Sequence, residues 1–289
     1  MDWDDEVDIL CAGSGFGGLA AAVAAVDADA EVLVADSTSL DVVDTETNSY
    51  FDDISYDLCA RVNGARALDI PVRVIADLGH ASASRHVEPF FGSRLRDWAE
   101  SCLVSPSGFL YSRIAERAAA TMRSGCGESF EVTGIGSVEL GPGRPPLVLG
   151  DWLGAQAKDR GIEVCGDSAL RRVVFEDGLV IGAVLETPSG PRAVRARQGV
   201  LVSIGGHDIA TSSPFEMAED ATLQVCTVRQ APSRFGRVEL LTSQPLAATP
   251  HSTWQKVSTS LADGAKKTQR IRLPHRRRGK VDRYPALGK

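Results

Sequence analysis

The chain has 289 residues, 43% of them apolar and 24% charged, with a formal net charge of −7. This is the composition of an ordinary globular protein, long enough for one large domain or two smaller ones and for a sizeable core without staples. The acidic balance excludes a chain-wide basic footprint for nucleic acid, and no apolar run approaches the ~18 residues that cross a membrane. The opening MDWDDEVD is acidic where a secretory signal is basic, so the cytoplasm is the expected compartment.

Residues 7–12 are a short apolar run that predicts a buried strand. Gly13, Gly15 and Gly18 follow in the order G-x-G-x-x-G, with Gly17 as a fourth glycine. An alanine-rich helix comes next, and a second apolar run, residues 32–35, ends at Asp36. Strand, glycine turn, helix, strand and acid in this order make a dinucleotide site. Gly13 makes the tight turn out of the strand, Gly15 admits a pyrophosphate, and Gly18 lets the helix pack closely. The helix start aims unpaired N–H groups at the phosphates. Ala22 and Ala25 keep its sheet-facing side small, and Asp36 is placed to accept hydrogen bonds from a ribose.

Further along, residues 45–58 and 60–68 read as helical, Pro71 as a break and residues 72–75 as a strand. The stretch 80–150 is rich in Gly, Ser and Pro. Within it, residues 93–102 read as a helix, 130–132 and 137–140 as short strands, and 141–146 as a loop. Residues 152–160 form an amphipathic helix stopped by Gly161, with a short strand at 162–165. Three strands follow at 171–175, 180–186 and 193–197, joined by the turn sequences EDG and PSGP. Another apolar strand, 200–204, runs into Gly205 and Gly206.

The blocks DWLGAQAKDRGIEV, ALRRVVFEDGLVIGAVLETPSG and ARQGVLVSIGGHD, with GSGFGGLAAA at the start, resemble the flavoprotein family of fumarate reductase and 3-ketosteroid dehydrogenase. The resemblance covers residues 7–37 and about 148–208. It implies an α/β fold: a Rossmann-like FAD-binding domain (residues 1–40 and 148–210) with a three-stranded β-meander, plus an irregular α+β insertion at 41–147 acting as a partial cap. Residues 211–289 would be a C-terminal extension with a basic, disordered tail at 264–289. The implied cofactor is FAD. Gly13, Ser14, Gly15, Gly17 and Gly18 would hold its diphosphate, and Asp36 and Ser37 the adenosine ribose. Leu170 would offer backbone groups to the adenine, and Gly205 and Gly206 would lie beside the cofactor. The implied activity is hydride transfer between flavin and a carbon–carbon bond next to a carbonyl.

The chain departs from the family in three places. The stretch STSLDVVDTETNSYF lacks the glycines that usually cover the flavin. No final motif of the type GLYAAGE is present. The family's catalytic positions have no counterpart, so the catalytic residues are unassigned. A flavin-binding subunit completed by a partner chain is therefore the alternative reading, with an NAD(P)-binding protein as a third.

Among other groups, Tyr111 and Arg113 form one candidate site pair, against a strand tyrosine as the plainer reading. His207 would face the flavin or cap a turn. His80 and His86 have no metal-ligand spacing, and His275 belongs to the basic tail. The six cysteines are scattered, with no metal pattern, and Cys11 reads as a buried apolar residue. Residues 1–60 contain no Lys, Arg or His, whereas 266–289 hold ten Lys or Arg against the single acid Asp282. That tail reads as a solvated end, with an acidic partner or a contact to the acidic start as its alternatives.

Overall fold

A computed structural model describes residues 2–36, 44–62, 70–74, 91–113, 119–123, 129–139, 149–203 and 222–242. In chain order the elements are β1 (Asp5–Ala12), α1 (Phe16–Val26), β2 (Val32–Ala35), α2 (Thr45–Val62), β3 (Val72–Val74), α3 (Phe91–Leu103), β4 (Gly108–Tyr111), β5 (Ala120–Arg123), β6 (Ser129–Glu139), α4 (Leu149–Asp159), β7 (Glu163–Cys165), β8 (Ala169–Glu176), β9 (Leu179–Thr187), β10 (Gly190–Ser203), β11 (Thr222–Arg229) and β12 (Phe235–Thr242).

The strands make one mixed sheet in the order β5-β6-β11-β12-β4-β10-β1-β2-β7. Four neighbours, β10, β1, β2 and β7, run parallel. Such strands are covered on both faces, which is why residues 9–12 and 33–35 are continuously buried. From β10 outward the pairing turns antiparallel through β4, β12, β11, β6 and β5, while β3 joins β12 in parallel. Off this path, β8 and β9 pair antiparallel, and β9 pairs with the first half of β10. The β8–β9 connection is the two-residue Asp177-Gly178 turn, whose φ values of 50° and 74° suit a tight hairpin.

Helix α1, FGGLAAAVAAV, has no polar side chain and is buried on two sides. Ala21, Ala22 and Ala25 lie against Ile9, Cys11, Val34 and Leu201. Phe16, Ala20 and Val23 face Leu153, Leu223, Val225 and Leu240. The parallel strands and the antiparallel half of the sheet thus both pack on one helix. A helix that is apolar all round needs such surroundings.

Several boundaries differ from the sequence reading. The strands expected at 193–197 and 200–204 are one strand, β10, which crosses a register shift against β1 at Gly199 (φ 140°). The Val200 N–H freed there is accepted by Ser112 Oγ at 2.9 Å, so the strand continues through its irregularity. The two short strands expected at 130–132 and 137–140 are likewise one, β6, held along its length by β11. Helix α2 runs on to Val62, and Asp44 caps its start by accepting from Thr47 N–H at 2.8 Å. The extension expected from residue 211 contains β11 and β12, which lie inside the sheet between β6 and β4.

The acidic opening finds its cations in the middle of the chain. Arg192 reaches Asp5 at 2.6 Å, Arg197 reaches Asp8 at 2.8 Å and Glu31 at 3.0 Å, and Arg160 clasps Asp27. The Arg192 hydrogen bond holds the Asp5 carboxyl below its ordinary range. Arg197, then the Glu31 N–H, do the same for Asp8. A lowered folded-state pKa adds stability that is present above the unfolded value of about 3.9 and is lost as pH falls through the folded one. The melting temperature should therefore drop below about pH 4, and less steeply in Asp8→Asn than in the native chain. Identical profiles would show that Asp8 carries none of this effect.

Candidate functional site: the glycine turn between β1 and α1

The turn leaves β1 at Gly13, whose φ of 110° excludes most side chains. Gly13 N–H donates to Ala35 O at 2.9 Å, which ties the turn to the end of β2. A Cβ on Gly18 would lie 1.9 Å from Gly13 O, so the first turn of α1 rests directly on the backbone of the preceding loop. A Cβ on Gly17 would lie 2.8 Å from Ser107 O and 2.7 Å from Gly108 O at the start of β4. Gly15 is the N-cap of α1 with extended backbone (φ −61°, ψ 174°) and no side-chain cap. The first N–H groups of a helix lack intrahelical partners and attract anions.

Asp36 sits beside this turn. Ser14 Oγ donates to Asp36 Oδ1, joining the turn to the end of β2. Asp36 N–H donates to Cys165 O at 2.9 Å, which brings in the end of β7. Ser168 Oγ donates to the same carbonyl at 2.6 Å and shapes the step from β7 into β8, where Leu170 is fully buried. Gly13, Ser14, Gly15, Gly17, Gly18 and Asp36 are thus gathered at one end of the parallel strands, the end where open α/β sheets bind ligands. Ser37, Gly205, Gly206 and His207 lie outside the described residues, as do His80, His86 and His275.

Sequence reasoning assigned no separate role to Ser203, the last residue of β10. Its Oγ is buried and has no hydrogen-bond partner among the described residues. A Cβ on Gly13 would touch Ser203 Cβ at 2.9 Å. A buried hydroxyl without a partner among the described residues, set against the tight Gly13 backbone, fits a dinucleotide at this place.

Tyr111 and Arg113 do not share a site. Tyr111 packs on Phe109 with ring centroids 5.4 Å apart, on the α1 side. Arg113 instead donates from Nη2 to Val180 O at the start of β9. Cys11, Cys102, Cys165 and Cys226 are free thiols. Burial pushes Cys102 and Cys226 up to about 12, so both stay neutral fillers of the core. Among the described residues no group of His, Cys, Asp and Glu is arranged to hold a metal, and no helix is long and apolar enough to cross a membrane.

No protein-family model and no curated protein matches the chain. Solved structures of flavoenzymes do. The 3-ketosteroid-Δ4-(5α)-dehydrogenase of Rhodococcus jostii RHA1 is 17% identical, over 70% of this chain and 46% of its own, with a TM-score of 0.31. A flavocytochrome c3 fumarate reductase in its open conformation is 17% identical, over 67% and 33%, at 0.30. The myxobacterial chondrochloren halogenase, an FAD-dependent enzyme, is 10% identical, over 91% and 56%, at 0.30. The chain spans a third to just over half the length of these three.

Proposed function

We propose that the chain binds FAD and serves an oxidoreductase of the fumarate reductase and 3-ketosteroid dehydrogenase type. The observation that carries this is the glycine turn itself, with Gly13, Gly17 and Gly18 packed too tightly for side chains and Asp36 tied to Ser14. Gly13, Ser14, Gly15, Gly17 and Gly18 hold the diphosphate, and Asp36 and Ser37 the adenosine ribose. Asp36 keeps one carboxylate oxygen for the ribose while Ser14 occupies the other. Leu170 backbone groups face the adenine, and Gly205 and Gly206 flank the cofactor. Residues 1–40 and 148–210 form the cofactor domain, 41–147 a partial cap, and 211–289 an extension whose β11 and β12 join the same sheet. When bound, the flavin supplies the hydride chemistry between itself and a carbon–carbon bond next to a carbonyl. The protein's part is to seat it and to keep water from the buried face around Ser203.

The visible absorption spectrum of the purified chain tests the reading. A yellow protein, or a colourless one whose melting temperature rises with added FAD, supports it; a colourless protein that FAD leaves unchanged refutes it. Gly15→Val sharpens the test. The Gly15 backbone is extended and open to any residue, so the variant should fold, at a cost of about 1 kcal/mol for the poorer cap. Its side chain should still abolish FAD binding by standing where the phosphate approaches. If Gly15→Val binds FAD as well as the native chain, the turn does not hold the diphosphate. Reduction of dichlorophenolindophenol by the chain alone, with a steroid or a succinate-like substrate, separates a complete enzyme from a subunit that needs a partner.

A further inference from the structure

Most described arginines close on a carboxylate: Arg160, Arg192, Arg197, Arg229 and Arg237 each hold one at 2.5–2.8 Å. Two do not. Arg234, in the β11–β12 connection, donates from Nη1 to Ser112 O at 3.0 Å and, loosely, to the Tyr50 hydroxyl at 3.4 Å. Arg113, the neighbour of Ser112, donates to Val180 O, and its Nε is buried with no partner. Neither has a carboxylate partner among the described residues.

The groups that hold these arginines lead to one aromatic pair: Arg234 reaches the Tyr50 hydroxyl, and Arg113 reaches the strand opposite Phe175. Tyr50 lies edge-on to Phe175 with centroids 5.3 Å apart and touches Phe51 at 5.5 Å. Phe175 is the cross-strand neighbour of Val180, whose carbonyl takes Arg113. The Tyr50 hydroxyl meets Arg234 and Ser112 O only at 3.4–3.5 Å, at the outer limit of a hydrogen bond. Two half-buried guanidiniums with spare donors, a loosely held phenol and an apolar wall therefore occupy one corner, between α2, the end of β4 and the hairpin β8–β9. A guanidinium fork fits an oxyanion in two-pronged fashion. Unpaired buried donors are costly unless something fills them.

We propose that this corner binds the carboxylate of an organic acid, with Arg234, Arg113 and Tyr50 taking the anion and Phe175 and Phe51 taking its apolar body. Benzoate is the probe, because it carries both features and nothing more. Calorimetric titration of the full chain should show saturable benzoate binding, with inorganic phosphate displacing it only at far higher concentration. Arg234→Gln and Arg113→Gln should each weaken benzoate about tenfold or more, the loss of one charge-assisted pair. Tyr50→Phe should weaken it less. Should a glutamine variant fail to fold, Arg234→Lys and Arg113→Lys keep the charge without the fork and should also bind benzoate more weakly than the native chain. Gly15→Val, the variant expected to lose FAD, should bind benzoate as the native chain does, so failure here and failure of the cofactor reading are distinct results. Absence of benzoate binding, binding indifferent to both arginines, or phosphate of equal potency would overturn the proposal.

Discussion

Arg237→Met should destabilise the protein by about 3–5 kcal/mol, measured by urea denaturation. Arg237 and Glu239 alternate on β12 and are 4% and 0% exposed. Both Nε and Nη2 of Arg237 donate to Glu239 Oε1, at 2.9 and 2.7 Å, and Nη1 donates to Ser101 O at 3.1 Å. The guanidinium lies 4.9 Å over Trp98, whose Nε1 donates to Phe235 O. The surroundings are apolar: Trp98, Cys102, Phe130, Cys226 and Leu241 belong to one cluster. Removing the cation takes two charge-assisted hydrogen bonds from a carboxylate with no exposure to water, so the penalty includes a weaker compensation of a buried charge and not merely a lost contact. The double variant Arg237→Met/Glu239→Leu should therefore recover most of the loss. If the single variant loses less than about 1 kcal/mol, Arg237 does not support the burial of that carboxylate.

Gly18→Ala should cost about 3 kcal/mol or more and remove cofactor binding along with it. The new methyl would stand 1.9 Å from Gly13 O. That atom is backbone, held in place by the Gly13 N–H bond to Ala35 O, so it has nowhere to yield. The contrast within one protein is Gly154→Ala on α4. A Cβ there meets nothing within 4 Å, so the change should stabilise by about 0.5–1 kcal/mol through the helix preference of alanine. Equal melting temperatures for Gly18→Ala and the native chain would mean that the turn is loose enough to admit a methyl group.

The first βαβ unit was readable because its signals are local. The turn, the small helix and Asp36 fall within thirty residues (7–36), and each acts on its sequence neighbours. The other wall of the α1 pocket was not readable. Leu223, Val225 and Leu240 come from strands more than 190 positions later in the chain, and a helix with no polar face gives no phase from which to infer a second partner. The continuity of β10 was hidden for a different reason: Gln198 and Gly199 look like a break, and only Ser112, one residue past the end of β4, supplies the acceptor that carries the ladder across. Tyr111 and Arg113 are two apart, as same-face strand residues are, yet β4 ends at Tyr111, so Arg113 is free to leave that face. Ser203 carries no signal of its own until the neighbourhood of Gly13 is known.

The enclosure of α1 has a consequence for how the molecule comes apart. The helix is the shared filling between the parallel strands and the β6–β11–β12 half, and has no polar side to turn toward water. Neither half can peel away while the other stays intact without baring nearly the whole helix. Opening of the glycine-turn end is thereby coupled to melting of strands far along the chain. The amides of α1 belong among those that exchange with solvent only through unfolding of the sheet as a whole.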